Sequence, residues 1–174
     1  MRRFILPFLV FFTFISESIF AHLIHIPFAT EEQFYIPRFT LIVVIFVTVY
    51  LDRTQGMLFG IVFGLLHDVV YIEVIGIYLF AYGFLAYLIS KALIVLHRNA
   101  LIVIFLTILS IALLEFYVYG MNYLIGTTKM SLYYFTTLRL LPTLALNAVV
   151  AILIIYPFKK FLSKIKREES EAIR

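Results

Sequence analysis

The sequence contains no cysteine, so neither a disulfide framework nor a thiolate metal site is open to it. Charge is scarce as well. Asp, Glu, Lys and Arg make up 14% of the 174 residues, while 64% are hydrophobic. A soluble domain is about half apolar and about a quarter charged, so this apolar excess cannot all be hidden in a water-soluble core. A mean hydropathy of +1.07 points to lipid as the solvent that makes such a chain stable. Catalytic signatures are missing too: no Walker-type phosphate loop, no Gly-x-Ser-x-Gly elbow and no His-Glu-x-x-His zinc pair. None of the 7 glycines sets up the Gly-x-Ser context of an intramembrane serine protease. The loops are short and leave no room for a soluble catalytic domain, so the chain reads as a non-enzyme without a cofactor. The net charge of +4 raises nucleic acid as a partner. The position of the basic residues argues against it: Lys159, Lys160, Lys164, Lys166 and Arg167 lie just beyond a long apolar stretch, as a cytoplasmic membrane flank does.

What is present is a series of apolar runs, each near the roughly 20 residues that cross a ~30 Å hydrocarbon core. Polar breaks divide them into six spans, at about residues 4–26, 37–51, 56–72, 75–96, 100–125 and 132–158. The expected fold is therefore an all-α polytopic membrane bundle, with a charged tail over residues 159–174 that frays in water. Pro37 suits the first turn of the second span, and Pro142 is a kink site in the sixth. The run from Gly56 to Leu96 is too long for one helix and must turn back near Glu73 and Gly76. With both termini in the cytoplasm, only Arg38, Lys129 and Arg139 of the 14 basic residues fall outside, as the positive-inside rule requires. Tyr35, Tyr119, Tyr123, Tyr133 and Tyr134 then form an outer interfacial belt. Arg2, Arg3 and Ser16-Glu17-Ser18 also resemble a signal peptide, but the apolar run continues to Ile26, which favours a retained helix.

Several polar side chains fall inside these spans: Glu17, Asp68, Glu115, Arg139, His22, His67 and Asn147. A charge at mid-membrane costs roughly 2.5–3.5 kcal/mol on insertion scales, so each must face protein or water. Glu115 and Arg139 lie at matching depth on spans five and six and are expected to pair. A relay is one use for such a pair; fixing the helix packing is the other, and nothing else in the sequence completes a relay. Gly56, Gly60 and Gly64 form a small-residue stripe that Asp68 continues one turn later. Such stripes let helix backbones approach closely, and an acid there needs a donor from a neighbouring helix. His67 and Asp68 point to different faces, and His22 with His25 lacks a third ligand, so no metal site is expected.

The stretch Gly60-Ile-Val-Phe-Gly64-Leu-Leu-His-Asp68-Val-Val-Tyr, followed by Ile75-Gly76-Ile77-Tyr78 and Ala86-Tyr87-Leu88, resembles the MreD family of rod-shape-determining membrane proteins. Size, six-span hydropathy and the basic tail agree over nearly the whole chain. The resemblance implies a non-enzymatic part of the bacterial cell-elongation machinery in the cytoplasmic membrane. Its implied partners are MreC, a single-span protein, the MreB filament, RodA and a class B penicillin-binding protein that builds lateral peptidoglycan. Gly56, Gly60, Gly64, Asp68 and Gly76 are the implied packing and docking positions, with Gly60 and Gly64 lining a partner-helix contact. The alternative is a vitamin-binding S-component of an ECF-type transporter, which shares size and span number. Its usual Ala-x-x-x-Ala stripe is missing from the first span.

Overall fold

A computed structural model describes residues 5–23, 33–71, 74–96 and 98–172, with residues 21–23, 169, 170 and 172 described by backbone alone. The side chains of His22, His25, Glu31, Glu32, Glu73 and His97 lie outside that set. The described residues build an all-α bundle: α1 (Ile5–Leu23), α2 (Phe39–Tyr50), α3 (Arg53–Tyr71), α4 (Ile77–Val95), α5 (Ala100–Ile125), a short α6 (Leu132–Tyr134), a π-helical segment (Phe135–Leu140) and α7 (Leu141–Ala172).

Helix ends sit where the residues call for them. Asp52 follows α2 and accepts the Gln55 N–H with its carboxylate at 3.1 Å, opening α3. Asn99 caps α5 by accepting from the Leu101 N–H. Gly126, at φ 82°, closes α5 in the left-handed conformation that glycine adopts without penalty. Gly76, at φ 117°, makes the equivalent bend before α4.

Among the described residues, four helices are long and apolar enough to cross a membrane: α3, α4, α5 and the continuous run Leu132–Glu168. α2 is shorter. At 12 residues α2 is about 18 Å long, yet every side chain from Thr40 to Tyr50 is buried. A helix that is apolar all round belongs in the middle of a bundle, and α2 touches α1, α3, α4, α5 and α7. The outer surface is apolar as well: Phe8, Leu101, Leu124 and Val95 are 70–82% exposed, which suits contact with lipid tails.

One feature departs from the sequence expectations. The tail does not fray into coil: α7 runs on through the basic segment to Ala172, with Pro157 inside it. In the last span, where the sequence predicts a kink at Pro142, a π-helical turn lies just before that proline. Proline brings no N–H to the carbonyl four residues back. That carbonyl, Leu138 O, accepts instead from the Phe34 N–H at 2.8 Å.

Candidate functional site: a buried polar core

The chain entering α2 has no regular secondary structure from residue 33 to residue 38, and its alternate residues bond to the π-helical segment and α7. Phe34 N donates to Leu138 O, Ile36 N donates to Thr143 Oγ1 at 3.2 Å, and Arg38 N donates to Asn147 Oδ1 at 2.8 Å. On the acceptor side, Thr143 Oγ1 donates to Phe34 O and Asn147 Nδ2 donates to Ile36 O. Thr143 and Asn147 are four apart and share one face of the helix. That spacing of about 6 Å matches the two-residue repeat of an extended chain at about 3.3 Å per residue. Non-helical backbone at membrane depth needs every polar group satisfied by protein, and α7 presents the groups that do it.

Arg38 ends this non-helical stretch and is 4% exposed. Its Nε and Nη2 converge on Glu115 Oε1 at 2.8 and 2.6 Å. Nη2 also donates to Tyr78 Oη at 2.9 Å, and the guanidinium lies 5.1 Å from the centre of the Tyr78 ring. Arg139, from the π-helical segment, donates through Nε to the other Glu115 oxygen at 3.1 Å. Glu115 is fully buried, a single carboxylate between two guanidinium groups. The spacing of spans five and six pointed to Arg139 as its partner; the closer one, Arg38, was missed. It reads locally as an outer flank. The signal available was that a basic residue on the side disfavoured by the positive-inside rule needs a reason to be there.

A second buried cluster joins α1 to α3. Glu17 Oε2 accepts from the Thr40 N–H at 3.0 Å, and Oε1 lies 3.1 Å from His67 Nε2. His67 Nδ1 sits 2.8 Å from Phe63 O and must donate there, since a carbonyl only accepts. His67 Nε2 then faces the Glu17 carboxyl group, which ties α3 to α1. Tyr82 Oη approaches the same Nε2 at 3.4 Å. Neither partner was assigned from the sequence, where Glu17 and His67 stood as separate polar groups 50 residues apart.

Asp68 is completely buried and, among the described residues, makes no ion pair. Its Oδ2 accepts the N–H groups of Gly76 and Leu79, both at 2.9 Å, and Oδ1 accepts that of Tyr78 at 2.7 Å. An α3 acid thus caps the N-terminus of α4, where unpaired donors and the helix dipole favour negative charge. The glycine stripe lies along the same contact. A methyl group at Gly60 would come within 2.9 Å of Tyr82 O, and one at Gly64 within 2.5 Å of Tyr78 O. A methyl group at Gly56 would strike Thr48 of α2. The space facing Gly60 and Gly64 is therefore filled by the backbone of α4, in the same chain, and not left open. Among the described residues no three His, Asp or Glu side chains come together as a metal site.

These features define a polytopic α-helical membrane protein whose buried charges are met by ion pairs or backbone donors of the same chain. The family model for rod shape-determining protein MreD matches residues 2–165. The rod shape-determining protein MreD of Bacillus subtilis (strain 168) is 41% identical over 168 residues, covering 97% of this chain and 98% of that protein. The chain belongs to the MreD family. No solved structure matches it.

Proposed function

We propose that this protein is a non-enzymatic, multi-pass component of the bacterial cytoplasmic membrane that serves the cell-elongation complex. In this reading it holds an MreC-like single-span protein. Through that protein it acts with MreB, RodA and a class B penicillin-binding protein in lateral peptidoglycan synthesis. The observation that carries the reading is membership of a shape-determining family over nearly the whole chain. The same membership favours morphogenesis over the transporter-component alternative.

The polar core supports a scaffold. Both oxygens of Asp68, Glu115 and Glu17 are taken up by donors that join one element to another. Gly56, Gly60, Gly64, Gly76 and Asp68 then act on the partner through the shape of the α3–α4 hairpin, whose outer side meets the single helix. The test has two readouts. In cells deprived of their own family member, this chain should restore rod shape, and an MreC-like protein should co-purify with it. Gly64→Leu should lower that recovery at unchanged abundance of this chain; full recovery would sink the hairpin's role. Cells that stay round despite normal membrane insertion would sink the function itself.

A further inference from the structure

The two guanidinium groups of Arg38 and Arg139 share one carboxylate, so the buried triad carries one positive charge in excess. Arginine stays protonated in any protein environment, so deprotonation cannot remove it. Glu17 is engaged by His67 and Thr40. Asp68 is engaged by three backbone N–H groups of the α4 end. The excess has one way out. The Arg38 side chain is 5% exposed, whereas that of Arg139 is 29% exposed, and only its Nε is used on Glu115.

Arg139 opens onto a cavity of about 240 Å³, lined by Tyr119, Asn122, Thr127, Thr128, Met130, Phe135 and Arg139 itself. No lining residue is acidic. Thr128 accepts the Met130 N–H, which leaves its own hydroxyl proton available to a ligand. Lys129 sits between two lining residues and is exposed. Exposed Tyr123, Tyr133 and Tyr134 lie at the end of α5 and in α6, and such tyrosines mark the headgroup level of a bilayer. A guanidinium offering a fork of N–H donors, a hydroxyl donor and a nearby ammonium match a phosphate group.

We propose that this cavity, between the end of α5 and the π-helical segment, is an anion site that takes a phosphate group, from a lipid headgroup or free in solution. Binding there neutralises the excess charge of the triad and fixes Arg139 from its second side. The full-length protein in nanodiscs is titrated with dioleoyl phosphatidylglycerol, with dioleoyl phosphatidylcholine and with inorganic phosphate, reading occupancy by native mass spectrometry and affinity by thermal shift. Arg139→Gln removes the charge. Thr128→Phe fills the cavity while leaving the triad intact, so a folding defect in the first variant does not decide the outcome. Expected is binding of phosphatidylglycerol over phosphatidylcholine, weakened at least tenfold in both variants. Displacement of that lipid by inorganic phosphate would identify free phosphate as the ligand and also support the site. No binding of either anion to the unaltered protein, or equal binding in Thr128→Phe, would overturn it.

Discussion

At the scale of single residues, stability rests on acceptors that are fully used. Asp68 takes three N–H bonds from a helix start. Asp68→Asn keeps the shape but turns one accepting oxygen into a donor facing other donors. It should destabilise the protein by about 1–3 kcal/mol, the cost of leaving buried polar groups unpaired. Denaturant titration in detergent, followed by circular dichroism, measures this. Glu115→Gln should cost more, about 3–5 kcal/mol, because it leaves the buried Arg38 guanidinium without its counter-charge and beside that of Arg139. Glu115→Asp, which keeps the charge, should fall between the two. Asn147→Leu removes the acceptor for Arg38 N and the donor to Ile36 O together. Loss of ordered packing around residues 33–38 should follow, seen as early proteolysis at that stretch.

At the scale of elements, the α3–α4 contact and the α5 interior make opposite demands on glycine. Gly64 faces the carbonyl of Tyr78 with no room for a methyl group. Gly64→Ala should therefore destabilise the hairpin by about 1–3 kcal/mol through overpacking. Gly120 lies inside α5, and nothing within 4 Å would meet a methyl group there. Gly120→Ala should stabilise by up to about 1 kcal/mol, since glycine is a poor helix former. A thermal-melt comparison of the two alanine variants separates the cases; equal shifts would contradict the packing geometry. The element that hydropathy described least well is the second span. Its 12-residue helix is too short to cross alone, and the missing length comes from non-helical chain. Hydropathy registers Phe34, Ile36 and Pro37 as ordinary loop-to-span sequence, because the hydrogen bonds that hold them come from α7, over 100 residues away.

At the scale of the whole molecule, orientation is open to direct measurement because the chain has no native cysteine. Lys129→Cys should react with a membrane-impermeant maleimide on intact cells. Lys164→Cys should react only after permeabilisation. The reverse pattern would invert the topology drawn from basic-residue placement. It would also put the anion cavity on the cytoplasmic side.

Composition and hydropathy alone determine that the chain belongs in a membrane, that it is helical, and where the helices break, at Asp52, Gly76, Asn99 and Gly126. Each of these is a local property. Burial in lipid depends on the apolar content of about 20 successive residues, and a helix end depends on the few residues around its cap. The order of motifs across spans three and four was also enough to suggest the family. Only the tertiary structure decided who answers each buried charge. Arg38 and Glu115 lie 77 residues apart, and Glu17 and His67 lie 50 apart. Distances of that kind carry no periodic signal. In lipid an unpaired buried charge is so costly that it must find a partner. Which partner it finds depends on how the helices are arranged around α2, and that arrangement places Arg38 nearer to Glu115 than the Arg139 that the spacing of the spans had proposed.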